Sequence, residues 1–242
     1  MSFPSSRGGF DSRSPLQSLF DMLEKKFKTQ KIVPLHKKAR GILKADLEKY
    51  QGIAREMGAS DSRIIPARWV RFDERVRMKC KVPGCHLYGS SPNCPPHTPE
   101  IDFMRKTMKK YRRALLVKYD VPQLQDFVDQ KKWLKDHEKH QRKIHDIVSA
   151  IESIASNDGY YFAVGFSSGG CKTALCSGLV CQFFDSGRCR FPLKARPSME
   201  GAGIDAFDLI TKAGWDVYPI GSKYADPDSI KCAVSAGIIF IN

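Results

Sequence analysis

The sequence predicts an α/β fold: a single domain with a central mixed sheet flanked by helices, carrying two cysteine-rich loops and preceded by a helical N-terminal extension. Three observations predict it. From residue 60 onward, short β-branched and apolar runs alternate with segments of helical periodicity, the order that layers helices on a sheet. Hydrophobic residues make up 42% of the 242-residue chain, enough to bury a core. Seven of the eight cysteines fall in two stretches rich in Gly and Pro, which read as loops.

Taken in order, residues 1–15 (MSFPSSRGGFDSRSP) have the composition of a disordered tail. Residues 16–58 read as a basic helical extension. Leu16, Leu19, Phe20, Leu23 and Phe27 repeat at helical spacing to about Lys31, and Pro34 interrupts. A second helix runs from about Arg40 to Met57 and stops at Gly58. Residues 59–242 form the expected metal-binding α/β domain. Ile64 and Ile65 read as a short strand ending at Pro66, and Trp69 to Phe72 as another. Pro99 opens a helix to about Lys110, and RALLVKY from Arg113 to Tyr119 is a buried strand.

Gln123 to Asp158 lacks Gly and Pro and reads as helical throughout. Ile144, Ile147, Val148, Ile151 and Ile154 form its buried face. That stripe fails across KDHEKHQRK, so the segment is two helices or one helix with an exposed middle. His137 and His140 in that stretch read as solvated. Tyr160 to Phe166 is a strand, Ile204 to Ala213 a helix, and Val217–Ile220 and Val234–Ile241 close the chain as strands.

The net charge is +14 and uneven: residues 1–60 carry 12 basic and 6 acidic side chains, whereas residues 161–242 carry 8 and 7. A basic face is either plain solvated surface or a docking face for nucleic acid or an acidic partner. No aromatic RNA-binding signature is interleaved with the charges. No apolar run reaches membrane-spanning length, and the N-terminus lacks the apolar region of a secretory signal. The expected location is the cytoplasm, where thiols stay reduced and dense cysteines argue for metal over disulfides.

The second cluster is spaced Cys171-x4-Cys176-x4-Cys181-x7-Cys189, with Gly169 and Gly170 just before it and Gly178 and Gly187 within it. Four soft thiolates satisfy a [4Fe–4S] cluster or a tetrahedral zinc. Glycine lets backbone N–H groups approach sulfur, and Phe183, Phe184 and Phe191 can shield it from water. The first set is Cys80-x4-Cys85-x8-Cys94, followed by Pro95-Pro96. Its fourth ligand is open: His97, His86, the distant Cys232, or none. Cys232, just before an apolar strand, reads more naturally as a core residue. Both loops follow a strand and precede a helix, so both should emerge at the same edge of the sheet and lie together.

KCKVPGCHLYGSSPNCPPHTP (Lys79–Pro99), and the second cluster running on into Arg196-Pro197-Ser198-Met199-Glu200 and Gly203-Ile204-Asp205, resemble the two motifs of the predicted metal-binding proteins of the domain of unknown function 2284. The resemblance covers about residues 45–242 and implies a bound metal or iron–sulfur centre. Within it, Arg196 could pair with an anionic substrate or with the cluster's charge, and Glu200 could donate a proton. Alternatively, Ser198 and Glu200 organise the turn into the following helix. The leading expectation is a [4Fe–4S] protein with a redox role, an electron carrier or reductase with a partner protein. The alternative is a zinc-stabilised module that docks nucleic acid or an acidic partner through its basic helices. Storage or delivery of metal is a third.

Overall fold

The computed structural model of the protein describes residues 40–128, 133–218, 220 and 226–242. These belong to one compact unit, Leu35–Asn242. The tail and the helix expected over 16–31 lie outside the described residues. The architecture is α/β as predicted, with eight α-helices among the described residues around β1 (Asp61–Pro66), β2 (Arg113–Asp120), β3 (Val164–Phe166) and β4 (Val234–Phe240). The strand order is β1-β2-β4-β3.

The predicted mixed sheet is antiparallel at all three strand pairings. The reason lies in the connections. Pro66 ends β1 opposite Arg113, where β2 begins, so the chain between them returns to the sheet end it left. A parallel pair would require it to finish at the other end. Among the described residues the one parallel pairing is an isolated bridge, Ser167 to Ser198.

Helix α1 (Arg40–Glu56) buries Leu47, Tyr50 and Ala54, three residues at helical spacing, against β1 and β2. Tyr50 Oη donates to Asp158 Oδ2 at 2.8 Å and Tyr160 Oη to Asp46 Oδ2 at 2.7 Å, clasping α1 to its neighbour. This clasp also shortens the strand expected from Tyr160, which turns back at Ala163 N–H to Tyr160 O before β3 starts.

Four helices lie between β1 and β3: α2 (Glu74–Lys79), α3 (Ile101–Met108), α4 (Gln125–Val128) and α5 (Trp133–Asn157). The face of α5 carrying Ile144, Ile147, Val148 and Ile151 is fully buried on the sheet. It lies so close that a Cβ on Gly165 would stand 2.4 Å from Val148 Cγ1, and one on Gly237 2.5 Å from Val148 Cγ2. Three short helices follow β3: α6 (Cys171–Cys176), α7 (Gln182–Ser186) and α8 (Ala206–Lys212). The opposite sheet face packs α3 and α8 over Leu116, Phe166, Ile238 and Phe240.

Two expected strands do not form among the described residues. Ala67–Trp69 forms a 3-10 turn, and Phe72 contributes only an isolated bridge to Ile204. Residues 217, 218 and 220 are in no strand, residue 219 lies outside the described residues, and nearby Trp215 donates its Nε1–H to Asp61 Oδ2 at 2.8 Å. Among the described residues no helix is long and apolar enough to cross a membrane.

Candidate metal centre

The two cysteine loops come together, but not by the expected route. β1 and β3 run in opposite directions, so the loops following them leave opposite ends of the sheet. The segment 197–205 joins them. At one end, Ser167 N–H donates to Pro197 O and Met199 N–H to Ser167 O, holding the root of the second loop. At the other, Thr98 Oγ1 donates to Gly201 O at 3.0 Å, Asp73 N–H to Gly203 O and Asp205 N–H to Arg71 O, holding the first. Asp73 caps α2 through Arg75 N–H and pairs with Arg71 and Arg75, which holds its carboxyl well below the usual range.

Two cavities result, walled by neighbouring stretches of the same segments. The smaller, about 20 Å³, is lined by Cys171, Cys176, Cys181 and Cys189 together with Ser91, Pro92 and Asn93. The larger, about 220 Å³, is lined by Cys80, Cys85, Cys94, His86, His137, Gln141, Ser198 and Glu200. The four cysteines of the second cluster therefore share one wall system and the three of the first share another. A ring contact of 4.9 Å between His97 and Phe184 further ties the loops.

Glycine makes the close approach possible. Gly169 has φ +64°, and a Cβ there would sit 2.2 Å from Gln141 Nε2. A Cβ on Gly170 would meet Leu87 Cδ1 at 2.5 Å.

Three sulfurs accept N–H bonds. Leu87 N–H donates to Cys85 Sγ at 3.5 Å, Phe191 N–H to Cys189 Sγ at 3.4 Å, and Asn93 Nδ2 to Cys171 Sγ at 3.4 Å. Such donors stabilise negative charge on sulfur. Against that, burial pushes the Cys80, Cys94 and Cys171 thiols up. All eight cysteines are free. Among the described residues no three His, Cys, Asp or Glu side chains are gathered at one point as a bound ion would gather them. The chain supplies the soft donors, the sulfur-directed N–H groups and the enclosing walls, and these fit a thiolate-held metal.

Glu200 lines the larger cavity, and burial raises its pKa, partly offset by its own amide and the Ser198 hydroxyl. Ser198 Oγ also accepts from Gly201 N–H at 2.9 Å, so the segment organises its turn and lines the cavity at once. Arg196 lines neither cavity. Its guanidinium grips Glu152 with two bonds, at 2.7 and 2.8 Å, and donates to the carbonyls of Pro192, Leu193 and Ala195. Of the open fourth-ligand candidates, His86 lines the larger cavity, whereas Cys232 and His97 line neither.

His137 and His140 in the polar stretch of α5 are not solvated as expected, although Lys139 and Arg142 beside them are exposed. His140 is 3% exposed, 2.7 Å from Asp126 Oδ2 and 3.3 Å from Tyr119 Oη. Burial lowers the His137 pKa to about 4, and its Nε2 accepts from Gln141 Nε2 at 2.6 Å. His137, Gln141 and His145 recur every four residues, so one helix face carries all three toward the second loop. That spacing was the available signal. Asn93 and Ser91, by contrast, have none in a single sequence.

A mixed α/β protein with two thiol-lined cavities is the class that fold and site define. The chain belongs to the family of predicted metal-binding proteins (DUF2284), whose model matches residues 63–234. No curated protein and no solved structure matches it.

Proposed function

We propose that the protein is an iron–sulfur protein with a redox role, in which Cys171, Cys176, Cys181 and Cys189 hold a [4Fe–4S] cluster. The observation that carries this reading is the walling of one cavity by four thiols with no imidazole among them, beside a second cavity walled by three more. A cluster there would supply one-electron chemistry. The chain's own part is to orient the sulfurs and to tune them through Asn93 and the Phe191 amide. Of the three aromatic rings expected to shield the sulfurs, Phe183 lines this cavity, whereas Phe184 and Phe191 do not, and all three are exposed. Arg190, which donates to Val180 O at 2.6 Å, closes the base of the loop.

Anaerobically purified protein should be brown and contain iron with acid-labile sulfide. Cys176→Ser or Cys181→Ser should bleach it. Stoichiometric zinc without sulfide, or spectra indifferent to both substitutions, rejects the reading.

One observation favours zinc instead: a cavity of about 20 Å³ suits a single ion without further opening of the loop. In that reading the metal is structural and the protein a binding module. The same metal and sulfide assay decides between them. A cytoplasmic setting, with a redox partner protein, goes with the first reading. In either case residues 16–58 are the proposed basic docking region.

A further inference from the structure

We infer that Cys80, Cys85, Cys94 and Glu200 form a second metal site, with the Glu200 carboxylate as its oxygen ligand. This rests on the reading above that the cysteine loops hold metal, and it assigns the ligand position left open by three local thiols.

Glu200 belongs to the seam segment 197–205, more than 100 residues along the chain from Cys94. Even so it lines the same cavity as Cys80, Cys85 and Cys94. Among the described residues no lysine or arginine forms a salt bridge with it, whereas other acidic side chains beside the site are paired. Asp73 has Arg71 and Arg75, and Glu152 has Arg196. A half-buried carboxylate on a cavity wall, already bonded by its own amide and the Ser198 hydroxyl, gains further from a cation. No lysine or arginine lines this cavity, whose basic groups are the imidazoles of His86 and His137, and a bound metal ion would supply the full positive charge that its thiols and carboxylate can share. The four side chains share a wall without yet being gathered at one point, and the backbone beneath Glu200 is held beside the first loop: Glu200 O accepts from Gly203 N–H, Gly201 O accepts from Thr98, and a Cβ on Gly201 would lie 3.5 Å from Pro95, next to Cys94.

Three thiolates and one carboxylate suit Zn²⁺ or Fe²⁺, with borderline character and tetrahedral preference. A cavity of about 220 Å³ leaves room beside the ion.

The test is cobalt(II) titration of the metal-free full-length protein, followed by its thiolate charge-transfer and ligand-field bands. Wild type should take up two equivalents. Glu200→Gln, the same size without the charge, should bind one of the two at least tenfold more weakly while keeping its thiolate band. Glu200→His should restore affinity with displaced ligand-field bands, which a merely structural role would not produce. Cys94→Ser should lose thiolate intensity from the same equivalent. If Glu200→Gln binds both equivalents as wild type with unchanged bands, or if only His86→Ala weakens the site, the assignment of Glu200 is overturned and the thiolate reading stands. If no thiolate band forms in wild type at all, both fall.

Discussion

Single side chains beside the sulfurs carry more of the site's character than their identities suggest. Asn93 is the example: an uncharged residue, remote in sequence, that donates to Cys171 Sγ. Asn93→Ala should lower metal affinity at the four-cysteine cavity about 10–100-fold, the usual effect of removing such an outer donor. Equilibrium competition with a chromophoric chelator measures it. Arg196 should behave oppositely. Its pairing with Glu152, both partners under a fifth exposed, is structural. Arg196→Gln should therefore cost roughly 3 kcal/mol of stability by stranding a mostly buried carboxylate. Metal stoichiometry should not change. His145 sets a pH limit. It is fully buried, beside the backbone of Gly169 and Lys194, and neither ring nitrogen closes a hydrogen bond. Burial lowers its pKa to about 4, below the unfolded value of 6.5. The unfolded chain thus takes up a proton first as pH falls. Stability is full above pH 6.5 and declines toward pH 4, by about 1.4 kcal/mol per unit of depression. Denaturant midpoints of wild type and His145→Phe at pH 7 and pH 4.5 check this: the variant should lose less.

At the level of elements, α5 and the sheet fit through missing side chains. Gly165 and Gly237 let Val148 sit against β3 and β4. Gly237→Ala should push into Val148 and destabilise by about 1–3 kcal/mol, the range for overpacking a core. Glycine inside a strand pattern marked this close approach in the sequence, and the isoleucine stripe marked the helix face. The central strands were equally plain, since RALLVKY and the run ending at Ile241 have no polar face to give to water. Strand direction was not legible. It depends on which sheet end a long connection returns to, and the 46 residues from Ala67 to Arg112 give no local cue. The burial of His140 was also hidden. A polar residue reads as exposed unless its partner is known, and Asp126 lies 14 positions away.

For the whole molecule, the two cysteine loops were expected to lie together because each follows a strand and precedes a helix, and they do lie together. The reason offered for that neighbourhood failed, because the two strands point opposite ways. What brings the loops together is backbone hydrogen bonding by residues 197–205, a pattern with no compositional signature beyond the motif itself. The basic N-terminal region stands apart from this arrangement in the sequence, since no cysteine precedes Cys80. Deleting residues 1–39 should leave metal content intact. If that region docks a polyanion, the deletion should also remove the salt-sensitive part of binding, read as the slope of affinity against ionic strength.

The seam has one more consequence. Because a single peptide of nine residues is bonded to the roots of both loops, ordering one loop orders part of the other. The first ion to bind bears the entropy of fixing that peptide, and the second does not. Uptake should then be cooperative, and linkage makes the effect reciprocal: an ion in either cavity tightens the other by the same factor. Metal loading would pass between an empty and a fully charged form with few half-filled molecules. Native mass spectrometry during a metal titration would see this directly as a depleted one-ion species.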